Sequence, residues 1–240
     1  MKKSTLLLSL SALIFIITLS SCRRFGCIRG SGKMVTETRT MTDFTRLDVS
    51  GGYKVKLVQD SSMKVIIHAD DNLMKRIRTE VEGGKLKIDS RKGLCGSEEI
   101  TITIGVRNLE EIEASGAVEV IAAQRINVKD LHFDLSGSTK IDMDLSAANV
   151  STEGSGATEV ILRGQAASHS IDVSGSSDIK ALDFVVGKYS IESSGASECK
   201  INVLNSLDIH TSGSSDIKYR GNPSSINKDK SGASSVEKID

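Results

Sequence analysis

Apolar and polar residues alternate along most of this chain from residue 33 onward, a pattern typical of strands with one buried face. The clearest case is residues 53–58, where Tyr53, Val55 and Leu57 fall on one face. Similar alternation predicts further strands over residues 63–69, 79–81, 85–89 and 99–106. The first half of the chain is therefore expected to be built mainly from short strands.

A single short helix is expected in this half. Leu73, Met74 and Ile77 recur at helical spacing, directly after three side chains that suit a helix N-cap. These capping candidates are Asp70, Asp71 and Asn72. We predict a helix over residues 72–78.

A motif that begins Ser-Gly occurs seven times in the second half of the chain. Its first residues are Ser115, Ser136, Ser155, Ser174, Ser194, Ser212 and Ser231, in steps of 21, 19, 19, 20, 18 and 19 residues. A repeat of this length indicates stacked supersecondary units, each too small to bury its own apolar face. Glycine suits the corner of such a unit because it accepts positive φ without a Cβ clash.

Side-chain alternation gives each motif position a direction. The sixth residue is expected to point inward, and it is Val120, Ile141, Val160, Ile179, Cys199, Ile217 or Val236. The fifth residue is usually acidic and is expected to point outward. The predicted fold is all-β, a right-handed parallel β-helix (β-solenoid) with coils of about 19–20 residues.

The third motif residue alternates between alanine and serine, from Ala117 and Ser138 to Ala233. One coil could therefore hold one motif, or two motifs on opposite corners. We favour one, because a coil of about 39 residues is large to fill when aromatic residues make up only 3% of the chain. Both alternatives remain open at this point.

The first 21 residues resemble a lipoprotein signal peptide. Two lysines precede an apolar run over residues 6–19, which ends in Leu-Ser-Ser-Cys. This tetrapeptide resembles a bacterial lipobox. In a lipobox the signal peptide is cleaved before the cysteine, here Cys22, and the cysteine is acylated. The alternative is an ordinary secretory signal with an incidental cysteine. We predict a lipidated tether over residues 22–32 and a domain over residues 33–240, irregular over 33–108 and repetitive over 109–240.

Three further cysteines follow Cys22. Cys199 occupies an inward motif position and is expected to be a buried small side chain. Cys27 and Cys95 could form a disulfide in an oxidising compartment, although their spacing alone does not show whether they meet. Without nearby histidines, these cysteines do not indicate a zinc site.

Overall charge offers little guidance to a ligand. The 31 basic and 31 acidic side chains balance, and the scarcity of aromatic residues argues against base stacking. We therefore expect no nucleic-acid partner, and no residue pattern calls for a cofactor.

The outward acidic residues of the motif are the sharpest candidate site. Stacked carboxylates could hold Ca²⁺, which prefers several oxygen ligands. The candidate column is Glu159, Asp178, Glu198 and Asp216. The alternative, which we prefer, is a solvated outer face, since Lys140 and Ser235 interrupt the column.

Catalytic residues are not predicted. Ser168, His169, Ser170 and Asp172 supply the residue types of a hydrolase triad, but alternation separates His169 from Ser170 and Asp172. The many motif hydroxyls could bind a glycan or protein, although such groups more often satisfy backbone groups at corners.

The combination of these features resembles a known family. The similarity is carried by the lipobox, the Ser-Gly-Gly-Tyr-Lys-Val-Lys-Leu strand at 50–57, the Ala-Asp-Asp-Asn-Leu-Met helix start at 69–74, the Gly-Lys-Leu-Lys-Ile strand at 84–88 and the Ser-Gly-Ser-Ser-Asp-Ile rungs. In these features the chain is similar to the family described as "putative auto-transporter adhesin, head GIN domain". The resemblance covers residues 33–240. It implies a β-helical domain on secreted or lipid-anchored proteins, common in Bacteroidetes, and assigns no catalytic or binding residue.

The resulting functional hypothesis is a non-enzymatic, lipid-anchored protein of the cell envelope. It would act in adhesion or as a binding scaffold, with a protein or glycan ligand. The alternative is a carbohydrate-active or glycan-binding β-helix protein. The anchor predicts attachment to the outer membrane, with the periplasmic face and the cell surface both open.

Overall fold

A computed structural model describes residues 26–240, and the signal peptide prediction and Cys22 lie outside these residues. The protein is all-β, with a large, mostly parallel sheet and one short helix among the described residues. The strands are β1 Ile28–Arg29, β2 Met34–Thr40, β3 Arg46–Gln59, β4 Lys64–Asp70, β5 Ile77–Glu82, β6 Lys85–Ser90, β7 Leu94–Cys95, β8 Thr101–Val106, β9 Glu111–Ala122, β10 Ile126–Asn127, β11 Asp130–Arg220, β12 Ser225–Lys230 and β13 Ser235–Lys238. The helix α1 is Asp71–Met74. Within residues 26–240, no helix has the length and apolar character needed to cross a membrane.

Three parallel elements form the centre of the sheet. β9 lies between β3 and the start of β11, and all three run in the same direction. Their register aligns Gly51 with Gly116, and Gly116 with Gly137. Glycine corners from distant parts of the sequence therefore meet side by side.

The same glycine stacking continues through β11 to the C-terminal end. A Cβ added to Gly156 would lie 2.6 Å from the carbonyl oxygen of Gly137, and one added to Gly175 would lie 2.6 Å from that of Gly156. The complete file contains Gly51, Gly116, Gly137, Gly156, Gly175, Gly195, Gly213 and Gly232. Successive motifs are thus direct neighbours, as the arrangement with one motif per repeat requires.

The file has one more rung than the seven repeats counted from the sequence. Ser50, Gly51 and Gly52 pair with Ser115, Gly116 and Ala117. This first rung escaped the repeat count because residues 53–114 separate it from the next one. Its signal was present, since Ser-Gly is again followed by Lys54 and an inward Val55 at the fifth and sixth positions.

The N-terminal end of the ladder is covered by strands of mixed direction. β6 and β8 pair in parallel with the two halves of β3, while β4, β2 and β5 join them in antiparallel pairs. The predicted strands of this region are present, and most of their ends are displaced by no more than two residues. The strand predicted over residues 53–58 is longer, because β3 begins at Arg46 and continues through the Gly51 corner. Antiparallel pairing replaces the repeat here because successive strands are joined by short turns rather than by full repeats.

The helix is shorter than predicted. It ends at Met74, not at residue 78, and Ile77 begins β5. Ile77 is buried and pairs with Ser90 across β6, so sheet pairing prevails over helical spacing. Asp70 precedes the helix but forms no capping hydrogen bond, because its carboxylate is bound elsewhere.

That carboxylate fixes the N-terminal segment onto the domain. Asp70 is fully buried and accepts hydrogen bonds from the Gly32 amide (2.7 Å), the Ser97 amide (2.8 Å) and the Ser97 hydroxyl (2.7 Å). These bonds, those from Ser97 above all, hold the pKa of the Asp70 carboxyl below its usual value. β1 pairs with β7, and a disulfide joins Cys27 to Cys95 with their Cα atoms 5.6 Å apart. Residues 27–32, expected to be tether, are therefore bound to the domain.

Aliphatic side chains fill the space behind the corners. The inward sixth motif residues from Val120 to Ile217 are all fully buried, including Cys199. Burial raises the pKa of the Cys199 thiol to about 12, so this side chain stays protonated and inert at neutral pH.

An aromatic cluster lies deeper in the same core. His169 is buried between Phe184 and Tyr189, with ring centroids 5.9 and 5.3 Å away. Its Nε2 lies 2.9 Å from the Thr152 hydroxyl. Burial lowers the pKa of His169 to about 3, so the imidazole is neutral in the folded protein.

The C-terminal end of the ladder carries charge at positions that are apolar or buried elsewhere. In the last rung, Lys228 pairs with Ile209 and Lys230 pairs with Thr211, so both lysines take register positions that are buried in the previous rung, although they are themselves exposed. Lys228 Nζ lies 5.5 Å from the centre of the Tyr219 ring. Charged side chains on an edge strand oppose the addition of another strand. The charges of Lys228 and Lys230 therefore disfavour edge-to-edge association at this end.

The buried histidine predicts a pH-dependent stability. Below its ordinary pKa of 6.5, His169 binds a proton in the unfolded chain but not in the folded one, so stability falls with pH down to about 3. Between pH 7.5 and 4.5 this histidine should cost about 2–3 kcal/mol. Denaturant unfolding at both pH values should show a smaller loss for His169→Phe than for the unmodified protein.

The exposed His68 supplies the control for this experiment. His68→Phe should retain the full pH dependence, because His68 lies on the surface, where it contacts Thr36. An unchanged pH dependence in His169→Phe would contradict the assignment.

Candidate functional site

One side of the ladder presents mostly uncharged polar and acidic side chains, and we call it the polar face. It consists of the outward residues of segments 130–134, 149–153, 168–172, 188–192, 206–210 and 225–229. Each segment leads into a motif serine, and the first also starts β11. Because rungs lie ~4.8 Å apart, equivalent side chains form three columns across the face.

The first two columns are rich in serine and amide groups, which bond from rung to rung. Asn149 donates to the Asp130 carboxylate (2.6 Å), and Ser168 donates to the Asn149 side-chain oxygen (2.7 Å). His132 Nδ1 lies 2.6 Å from the Ser151 hydroxyl. These ladders hold the polar groups in fixed positions with respect to one another.

A groove lies where the polar face begins. It has a volume of about 1150 Å³ and is lined by the bonded groups just described together with Leu109, Val128, Lys129, Leu131 and Val150. A lining that combines apolar side chains with hydrogen-bonding groups is the general composition of ligand sites. The groove was not anticipated, because residues 123–130 showed no pattern in the sequence.

The third column is acidic and lies two residues before each motif serine. It contains Asp134, Glu153, Asp172, Glu192 and Asp229, and His210 occupies the rung between Glu192 and Asp229. Asp134, Glu153, Asp172 and Glu192 are exposed, and among residues 26–240 none of these four has a cation within 4.0 Å. Like charges at this spacing repel one another. A cationic group from another molecule would therefore reduce the electrostatic repulsion within this column.

The acidic column predicted as a calcium candidate lies on another side of the ladder and has a different environment. Each of its four carboxylates is paired with a lysine of the same or a neighbouring rung. Glu159 lies 2.5 Å from Lys180 Nζ and 3.2 Å from Lys140 Nζ, and Asp178 lies 2.8 Å from Lys180 Nζ. Glu198 pairs with Lys200 at 2.6 Å, and Asp216 with Lys218 at 2.8 Å.

These lysines supply the positive charge that the stacked carboxylates require. The hydrogen bond from Lys180 holds the pKa of Glu159 below its usual value, and that from Lys200 does the same for Glu198. In the described part of the chain, no three histidine, cysteine or acidic side chains are grouped as metal ligands. Calcium binding by this column stays a prediction, and the ion pairs favour the alternative of a solvated face.

The residue types of a hydrolase triad do not converge. His169 is buried in the core, whereas Ser170 and Asp172 are exposed on the polar face. Since the folded His169 is neutral and its Nε2 contacts Thr152, it is not positioned to activate a serine.

The fourth motif residue has a role that the sequence analysis did not assign. In five rungs this residue is a buried threonine or serine, namely Thr139, Thr158, Ser177, Ser197 and Ser215. Thr158 donates to Ser177 across neighbouring rungs (3.0 Å), and Ser215 lies 2.9 Å from Ser193. These hydroxyls are internal and are not available to a ligand.

Residues 43–223 match the family described as "Putative auto-transporter adhesin, head GIN domain", and the chain belongs to this family. No curated protein matches the chain.

Several solved structures have a similar fold. A putative adhesin from Bacteroides fragilis NCTC 9343 is 22% identical, with a TM-score of 0.84 over 88% of this chain and 100% of its own. A putative lipid binding protein from Parabacteroides distasonis ATCC 8503 is 22% identical, with a TM-score of 0.67 over 90% of this chain and 100% of its own. A putative adhesin from Parabacteroides merdae ATCC 43184 is 21% identical, with a TM-score of 0.62 over 89% and 99%. At these identities the likeness concerns the fold.

Proposed function

We propose that this protein is a lipid-anchored adhesion module of the cell envelope, without enzymatic activity, whose polar face binds the ligand. The observation that carries the proposal is the contrast between two acidic columns. On one side of the ladder the chain supplies a lysine for each carboxylate, whereas on the polar face four carboxylates stand without one in the described chain. Charge left unpaired in this ordered way suits contact with a partner.

The proposal includes the form of the ladder as a right-handed β-solenoid. The glycine file, with one motif per repeat, supports winding of one coil upon the next. The hand follows from the general rule for parallel crossover connections.

Removal of one repeat tests this winding. Deletion of residues 155–173, which are 19 residues from one motif serine to the next, should preserve the fold because neighbouring coils then meet in register. Deletion of residues 155–164 should unfold the ladder, because it leaves half a coil. Circular dichroism and thermal unfolding of both proteins measure the difference, and equal damage by the two deletions would contradict the winding.

The lipid anchor is proposed at Cys22, with attachment to the outer membrane. Support comes from the apolar run and the Leu-Ser-Ser-Cys sequence that ends it. Cells given labelled palmitate should incorporate it into the full chain and not into Cys22→Ala. Label that remains in Cys22→Ala would contradict the anchor.

Adhesion is tested with vesicles that carry the full chain. We expect them to be retained on at least one of three coated surfaces, namely collagen, mucin and mannan. The double variant Ser151→Arg/Ser170→Arg, placed on the polar face, should lower retention at least tenfold, because two bulky side chains then obstruct the face. The matched control Ser138→Arg/Ser176→Arg places the same change on exposed corners and should bind like the unmodified protein.

Two results would contradict the adhesion proposal. One is retention on none of the surfaces, and the other is equal retention of both double variants. Release of reducing sugar from mannan or mucin would contradict the non-enzymatic assignment.

Glycan binding is a second candidate, favoured by the groove. Its rim carries the fixed ladder of Asp130, Asn149 and Ser168, whose carboxylate, amide and hydroxyl groups match the hydrogen bonding of sugar hydroxyls. Retention on mannan or mucin that is lost in Asn149→Leu would support it. Retention on collagen alone would favour a protein ligand.

A further inference from the structure

The disulfide at Cys27 limits how far the domain can lie from the membrane. Cys27 is five residues after the proposed anchor Cys22, and it is joined to Cys95. Five residues span at most ~18 Å, however they are arranged. The surface around the disulfide is therefore confined to the neighbourhood of the lipid head groups whenever Cys22 is acylated.

This surface is held firmly on the domain. The Ile28 amide donates to the Gly93 carbonyl (2.9 Å), and the Gly30 amide donates to the Cys95 carbonyl (2.8 Å). The disulfide and the buried Asp70 carboxylate secure the same segment from either side. The backbone of this segment is thus fixed relative to the ladder.

Cationic side chains dominate this surface. Arg29 lies on β1, and Arg91 and Lys92 lie just before Gly93, to which β1 is bonded. All three are exposed, and within residues 26–240 none of them has an acidic side chain within 4.0 Å. We call Arg29, Arg91 and Lys92 the basic patch.

Most acidic groups near the basic patch already have partners. Asp71 pairs with Lys33 (3.7 Å), Asp89 with Arg78 (2.6 Å) and Glu99 with Lys54 (3.6 Å), while Glu98 is exposed in the same loop. The sequence adds Arg23 and Arg24 between the proposed anchor and Cys27. Positive charge is therefore concentrated at the end of the molecule that the anchor holds near the bilayer.

We propose that the basic patch binds the phosphate groups of anionic phospholipids in the leaflet that holds the anchor. The inference rests on the proposed lipid anchor and adds a second contact to it. Basic residues beside a bilayer each favour binding about fivefold, and an acyl anchor combined with a basic cluster is a general way to obtain stable attachment. The contact would fix the end of the ladder that carries the disulfide at the membrane.

The test measures access to Lys92 in the membrane-bound protein. The lipidated full chain is placed in vesicles of pure phosphatidylcholine, or of phosphatidylcholine with phosphatidylglycerol, and treated with an acetylating reagent. We expect acetylation of Lys92 to be at least fivefold slower in the anionic vesicles. Lys228, at the opposite end of the ladder, is the internal reference and should react equally in both. High salt should abolish the difference, because it screens exposed charges.

Matched arginine variants separate the patch from a general surface effect. Arg29→Gln/Arg91→Gln should make Lys92 react at similar rates in both vesicles. The control Arg107→Gln/Arg220→Gln removes two exposed arginines elsewhere and should keep the difference. A difference that persists in Arg29→Gln/Arg91→Gln would overturn the proposal.

The anchor is monitored separately through palmitate at Cys22. Equal reactivity of Lys92 in the two vesicles, with palmitate present, would overturn the basic patch and leave the anchor intact. Absence of palmitate from the unmodified chain would overturn both the anchor and the contact that depends on it.

Discussion

The close approach of successive glycine corners is the constraint on which this structure depends. At each corner the backbone of one rung passes so near the carbonyl of the previous rung that a Cβ would lie 2.5–2.7 Å away. Glycines in the file also have positive φ, for example 93° at Gly156 and 90° at Gly175. Space and backbone conformation therefore exclude other residues at the same point, and this keeps every rung in register with its neighbours.

The two ends of the ladder differ in a way that gives the molecule a direction. At the N-terminal end a disulfide, a buried aspartate and antiparallel strands secure the chain, and Arg29, Arg91 and Lys92 are exposed there. At the other end the exposed Lys228 and Lys230 pair with residues that are buried in the previous rung, and their charges oppose further strand pairing. The sides of the ladder, between these two ends, present exposed side chains that are available for binding.

Much of the fold could be predicted from the sequence because the repeat is regular. The spacing of the serines and the apolar sixth residue predicted parallel rungs with Val120, Ile141 and Cys199 inside, which the structure places in the core. The rung at Gly51 was missed because residues 53–114 separate it from the next motif, so its spacing does not fit the repeat. The helix was drawn too long because pairing of Ile77 with Ser90 is a long-range effect that local spacing does not reveal.

The candidate site was less accessible to sequence reasoning. The column at Glu159 attracted attention because its acids lie within the motif, yet only the structure shows that Lys180 neutralises them. The unpaired column at Asp134 and Glu153 precedes the motif, and its members become neighbours only through the register. The folded state of residues 27–32 depends on Asp70 and Cys95, which lie far along the chain.

A matched pair of glycine substitutions tests the central constraint most directly. Gly175→Ala should lower the free energy of unfolding by more than about 2 kcal/mol, because a Cβ there meets the Gly156 carbonyl and the backbone has positive φ. Gly52→Ala should change it by less than about 1 kcal/mol, since a Cβ at Gly52 has no atom within 4 Å and the equivalent residue of the next rung is Ala117. Equal stability of the two variants in denaturant unfolding would contradict the account.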